Sequence, residues 1–200
     1  MNKRHLHHVW TRIRPIKTWY LFASCLVLAG ICVLSLRSNY VTMTHLRNAV
    51  YTADQQDGDV EKALERLRAY VGSHMNTSLA TNDGVYPPIQ LKYTYARLQQ
   101  AEQKRVDNIN SQVYTSAQQY CEALYPNSFS GGPRVPCIES YVQTHGTAAR
   151  KIPDAMYKFD FASPAWSPDL AGWTMAAAIV LLVLTVIRFV IGFALEALTR

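Results

Sequence analysis

Two long apolar runs lie near the ends of the chain, and the stretch between them alternates apolar and polar residues at helical spacing. The first run, residues 18–36, reads TWYLFASCLVLAGICVLSL and carries no charge. A helix rises about 1.5 Å per residue, so this run comes close to the ~30 Å hydrocarbon thickness of a bilayer. Trp19 and Tyr20 open it, where amphipathic rings favour a membrane interface, and Arg37 ends it. The second run, residues 171–195, contains one charge, Arg188, before Glu196. Both read as transmembrane helices. The rival reading of the first run, a cleaved signal peptide, lacks an A-x-A site after the apolar stretch.

Between the runs the apolar period is that of amphipathic helices. Met43, Leu46, Val50 and Ala53 form one stripe, predicted to continue the first span as a single helix until the acidic stop at residues 54–59, with Gly58 permitting the turn. Val60, Leu64, Leu67, Val71 and Met75 form a second stripe, with Asp57 or Asp59 as its cap. Residues 75–86 read as a loop, with Asn82-Asp83-Gly84 as a turn signal. Pro88 is expected to open a third, long helix ending at Pro126, with a kink or a change of packing partner between Ala101 and Val106. Residues 127–136 are a Gly/Pro-rich connector. Ile138, Tyr141 and Val142 suggest one more short helix, and the alternation Tyr157, Phe159, Phe161 suggests a short extended segment. The expected fold class is therefore all-α: two transmembrane helices with an extracytoplasmic antiparallel helical bundle.

Charge sets the orientation. Residues 1–17 hold Lys3, Arg4, Arg12, Arg14 and Lys17 and no acid, whereas residues 37–170 hold thirteen basic and thirteen acidic residues. A basic segment flanking a span stays in the cytoplasm, and a long loop translocates regardless of its charge. The expected order is a cytoplasmic basic tail (1–17), a first span (18–36), an extracytoplasmic domain (37–170), a second span (171–195) and a cytoplasmic tail (196–200). The net charge of +6 thus reports topology and not a nucleic-acid-binding face. The expected partners are the lipid bilayer and a protein partner or second copy, with no nucleic acid.

Candidate chemistry is sparse. Cys121 and Cys137, the cysteines outside the spans, flank the connector and are expected to form a disulfide in an oxidising compartment. Cys25 and Cys32 read as packing residues of the first span. Asp54, Asp57, Asp59 and Glu61 do not have EF-hand spacing and read as a helix stop followed by a cap. His5, His7 and His8 read as part of a solvated tail, and Asn76-Thr77-Ser78 as a chance sequon. Tyrosines 51, 70, 86, 93, 95, 114, 120, 125 and 141 read as core of a modest bundle, the alternative being a contact surface. No catalytic, cofactor or metal motif occurs, so no enzyme activity and no cofactor is expected. Arg188 is expected to snorkel to the cytoplasmic headgroups; its alternative is a pairing with the carboxylate of another subunit.

The layout of basic tail, span, external helices and second span resembles the periplasmic helical-bundle sensor modules of bacterial chemoreceptors and sensor kinases, in architecture alone. Those receptors continue into a large cytoplasmic signalling domain, whereas about five residues follow the second apolar run here, so signalling by this chain alone is not expected. Residues 64–76 and 157–173 are similar to stretches of two-span proteins of ultrasmall, host-associated bacteria. That likeness implies a bacterial cell membrane and carries over no activity or site residue. The resulting expectation is an envelope interaction protein or an accessory subunit of a membrane complex, with a membrane-bound enzyme as the alternative.

Overall fold

The structure, a computed structural model, describes residues 18–79, 84–126 and 132–199, the last five by backbone alone. The basic tail with its three histidines, Asn82 and Asp83 of the expected turn, residues 127–131 of the connector and Arg200 lie outside the described residues. The chain is mostly helical, as its periodicity predicts. In order it forms α1 (Thr18–Gln55), α2 (Val60–Ser73), β1 (Ile89–Gln90), α3 (Lys92–Leu124), α4 (Arg134–His145), a 3₁₀ turn (Asp154–Met156), β2 (Lys158–Phe159) and α5 (Leu170–Thr199). These divide into two compact units. The first holds the described residues up to 53, 59–79 and from 161 onward; the second holds residues 54–58 and the described residues of 84–160.

In the first unit, α1 and α5 are each long and apolar enough to cross a membrane. The Cys25 thiol donates to the Ala178 carbonyl at 3.5 Å, and the Cys32 thiol to the Ala171 carbonyl at 3.7 Å. Moving from 25 to 32 on α1 therefore matches moving from 178 to 171 on α5, so the helices are antiparallel and in constant register. Positions 18, 21, 25, 28, 32, 35 and 39 of α1 are partly or fully buried, as are 171, 174, 178, 181, 185, 188 and 192 of α5. Both series step by three and four, the spacing of a coiled-coil seam. Cys25, Cys32, Ser35, Ala171, Thr174 and Ala178 are small enough to let the two backbones approach.

α1 continues past the apolar run without interruption, and its second stripe buries Met43 and Val50. In α2, Leu67 and Val71 are fully buried on one face. Asp59 caps α2 by accepting the Lys62 N–H at 2.9 Å, and Glu61 sits in the first turn, where a negative charge favours the helix dipole. Gly58 does not make the preceding turn. Asp57 takes the left-handed conformation (φ 55°), which a short polar side chain tolerates better than a bulky one.

The second unit is a rod with a strap. α3 is one uninterrupted helix of 33 residues, about 50 Å long. The chain then turns back through α4 and lies along it in the opposite direction. Packing partners change down its length: Tyr95 meets Tyr157 with ring centroids 4.5 Å apart, Asn110 meets Thr147, and Cys121 meets Cys137. α3 begins at Lys92 and not at Pro88. The segment before it pairs as β1 with β2, Ile89 opposite Phe159, and the Leu91 N–H donates to the Tyr157 carbonyl at 2.8 Å. A backbone held extended by that ladder cannot also make the first helical turn.

Leu91 has no side chain with which to cap α3. The cap comes from Asp54, which accepts the N–H of Tyr93 at 2.9 Å and of Thr94 at 2.7 Å, and the Thr94 hydroxyl at 2.6 Å. Arg97 donates to the Asp54 carbonyl at 3.0 Å and to its carboxylate at 3.3 Å, and pairs with Asp57 at 3.1 Å. Asp54 is only 2% exposed, so these contacts offset the loss of its water. Asp54→Ala leaves two helix N–H groups and the Thr94 hydroxyl without their acceptor and removes one of the two carboxylates that Arg97 meets. It is expected to cost about 2–4 kcal/mol, read as a lower thermal midpoint by circular dichroism in detergent; a midpoint unchanged within error would show the cap to be dispensable.

Candidate functional site

Three groups of side chains stand out from plain helix packing, each within one unit. The first lies where α5 begins. Asp169 caps α5 by accepting the Gly172 N–H at 2.9 Å, and it accepts from the Asn39 amide at 2.8 Å. Asn39 also donates to the Met75 carbonyl at 3.3 Å, and the Met75 N–H donates to the fully buried Ser167 hydroxyl at 3.0 Å. Burial pushes the Asp169 carboxyl up, but the hydrogen bonds from Gly172, Asn39 and Ser167, with His74 nearby, outweigh it and hold Asp169 below the usual carboxylate range. A side chain at Gly172 would strike the Ser167 carbonyl and the Trp166 indole nitrogen, so glycine is required at that close approach. The cluster thus ties α1, the loop after α2 and the start of α5 into one hydrogen-bonded knot.

Beside this knot stand a serine, a histidine and an aspartate: Ser73, His74 and Asp169. They do not form a nucleophilic triad. His74 Nδ1 lies 2.9 Å from the Ser73 hydroxyl but also 3.1 Å from the Tyr70 carbonyl, while the Ser73 hydroxyl donates to the Ala69 carbonyl at 2.8 Å. Asp169 acts on His74 through charge alone, without orienting the ring by a hydrogen bond. The sequon is also occupied: Asn76 donates to the Leu36 carbonyl at 3.1 Å, and the buried Thr77 hydroxyl is bonded to the His74 carbonyl at 2.6 Å.

The second group is the strap on α3. Asn110 reads the backbone of Thr147 in both senses, donating to its carbonyl at 3.1 Å and accepting its N–H at 2.9 Å. Glu102 accepts the Arg150 N–H at 2.8 Å and two bonds from Arg105 at 2.7 and 2.8 Å. The Arg105 bonds above all, then the Arg150 amide, lower the Glu102 pKa from 4.5 to about 2. A carboxyl with a depressed folded pKa stabilises above its unfolded value, and that contribution is lost as pH falls through the folded one. The difference in thermal midpoint between wild type and Glu102→Gln is therefore expected to be largest near neutrality and to shrink from pH 4.5 toward about 2. A difference constant across that range would remove Glu102 from the strap's anchorage.

The third group is the α3–α4 hairpin. Cys121 and Cys137 have their sulfurs at bonding distance, 2.03 Å, with Cα atoms 6.0 Å apart. Around them Tyr120 packs on Tyr141 at 5.5 Å, Tyr141 stacks on His145 at 4.1 Å, and Glu122 pairs with Arg134 at 3.0 Å. α4 buries none of its residues. The tyrosines expected in a core are not there: 86, 93, 114 and 120 are exposed and 51, 70, 95, 125 and 141 are half-buried. One stripe on α3, covered by one strap, offers no closed interior wide enough to take their rings.

Of the acidic residues in the 54–61 stretch, Asp54 caps α3, Asp57 pairs with Arg97, Asp59 caps α2 and Glu61 lies in the first turn of α2. Among the described residues no three His, Cys, Asp or Glu side chains stand together as metal ligands. Arg188 falls on the seam face of α5 and is half-buried. The knot, the cap at Asp54 and the strap contacts were all missed from sequence. Asp169 alone carried a local signal, a capping residue directly before an apolar run. No protein-family model, curated protein or solved structure matches the chain.

A disulfide closing the loop between Cys121 and Cys137, 16 residues apart, would stabilise by about 3 kcal/mol through restriction of the unfolded chain. Cys121→Ser is accordingly expected to cost about 2–5 kcal/mol, and non-reducing peptide mass spectrometry of alkylated wild type is expected to find the two cysteines linked. Two alkylated thiols would show the pair to be reduced in the cell.

Proposed function

We propose that the chain is a two-span anchor in a bacterial cell membrane, with both termini cytoplasmic and residues 37–170 outside, and that it works by binding another protein rather than by catalysis. The observation that supports this most is the exterior of α1 and α5. Off their seam these helices expose Leu26, Val27, Val33, Leu34, Val183 and Phe189, a continuous apolar surface that water does not tolerate and acyl chains do. Trp19 and Tyr20 at one end of the pair, and the edge-to-face pair Trp166–Trp173 at the other, suit the two interfaces.

For the outer residues, the α3–α4 hairpin supports a docking role. It exposes Tyr114, Tyr120, Leu124 and Val135, the large and partly apolar side chains that protein interfaces favour. Oxidation of Cys121 and Cys137 would hold that hairpin to one shape before binding, lowering the ordering cost of association. Either a separate partner or a second copy fits this surface, as would the role of accessory subunit in a larger membrane complex.

The test combines topology with co-purification. Single cysteines introduced at positions 8 and 110, in a background with the native ones replaced, are expected to be shielded and labelled respectively by an impermeant maleimide on intact cells. Affinity purification in mild detergent is expected to recover a stable partner or a homo-oligomer, and Tyr120→Ala with Leu124→Ala to release it. Labelling at 8 and not at 110 would invert the topology; a monomer with measurable turnover would replace the binding role by catalysis.

A further inference from the structure

We propose that Arg47 of α1 is the docking point for a carboxylate of a separate protein, outside the membrane. This deepens the binding role proposed above and rests on it. Arg47 stands between Met43 and Val50, two buried residues of α1, and is itself half-buried. Its Nε is the one buried side-chain nitrogen or oxygen among the described residues that has no hydrogen-bond partner. Buried polar atoms are nearly always bonded, so an orphan on a charged group calls for a reason. The ion pairs of the described residues engage Arg97, Arg105, Arg134 and Lys158 and leave Arg47 out. α1 itself offers no acid from Thr18 to Ala53. The guanidinium is thus partly stripped of water without being given a counter-charge. Such a group has less water left to lose when a carboxylate arrives, so more of the attraction remains as binding. With Nε covered, the fork that remains for a carboxylate is the one between the two terminal nitrogens.

The surroundings of Arg47 suit a protein. Tyr40, Thr44, Arg47 and Tyr51 step by four, three and four, so they share one face of α1. Tyr40 is exposed, and Thr44 and Tyr51 are half-buried. Tyrosine and arginine are the residue types that carry most binding energy at protein interfaces. A lipid phosphate suits this position less well. Arg47 lies ten residues beyond Arg37, where the apolar run ends, about 15 Å along the helix. The headgroup layer adds only about 5–7 Å to each side of the hydrocarbon. A second copy set side by side in the same membrane would bring its own Arg47 to the same level, and α1 carries no acid there to meet it. Like charges repel across such a contact. A different protein presenting an Asp or Glu at that level has the complementary charge.

The test uses the tagged full chain as wild type, Arg47→Gln and Arg47→Lys, each purified from native membranes in mild detergent. Wild type is expected to bring down a protein whose recovery falls at least tenfold with Arg47→Gln and is largely kept with Arg47→Lys. The thermal midpoint of Arg47→Gln by circular dichroism is expected to equal or exceed that of wild type, because no internal partner is lost. Membranes holding Arg47→Lys are then treated with a water-soluble carbodiimide, which joins a lysine amine to a carboxylate in contact with it. Peptide mass spectrometry is expected to find position 47 linked to an Asp or Glu of the co-purifying protein. Equal recovery with Arg47→Gln overturns the proposal, and so does the absence of that link from a sample that holds the protein. A lower midpoint for Arg47→Gln, with the protein lost, shows a packing role and overturns it too. A link to an Asp or Glu of a second copy overturns the separate partner. Wild type recovered as a monomer with no other protein overturns the binding reading and this proposal together, whereas the other outcomes leave that reading standing.

Discussion

Two helices long and apolar enough to cross a membrane would gain little from touching each other there, because lipid is as apolar as leucine. Their register must come from close packing and from polar contacts. In this chain it comes from the thiols of Cys25 and Cys32 on opposite carbonyls, and from Asn39 on Asp169 where α5 begins. A slip of one residue would part all three contacts at once and turn the small residues of one helix onto the wrong face of the other. Since α2 reaches the same knot through Met75 and Ser167, the packing of the first unit inherits that register.

The second unit meets a different demand, the unsatisfied N–H groups that every helix presents at its start. α2 and α5 meet it locally, with Asp59 and Asp169. α3 cannot, since its preceding segment is committed to the β1–β2 ladder, and it takes Asp54 from 39 and 40 residues away. The acidic cluster of the sequence thus divides among capping and pairing roles: Asp54 caps α3 and shares Arg97 with Asp57, Asp59 caps α2, and Glu61 sits in the first turn of α2.

The helices were legible because their periodicity is strong: the unbroken α1, the stripe of α2 and the two candidate spans follow from apolar spacing alone. Distant partnerships were not legible. Nothing near Pro88 announces that Ile89 will find Phe159, and the local rule that proline opens helices gave way to a strand pair 70 residues apart. Gly58 was the obvious turn residue by propensity, yet Asp57 took the positive φ while its carboxylate bound Arg97. The tyrosines misled because ring-rich helices ordinarily imply a wide core, whereas a rod with a single strap has only a narrow one.

The strap shows where information about shape is stored. Thr147 and Arg150 are held through backbone groups, by Asn110 and Glu102 from 37 and 48 residues away. Main-chain amides are common to nearly all residue types, so Ala148, Ala149, Arg150 and Lys151, exposed along this stretch, are not what gives it its course. Evolution can rewrite those letters with little penalty while the path persists, because the instruction for it is written in the rod.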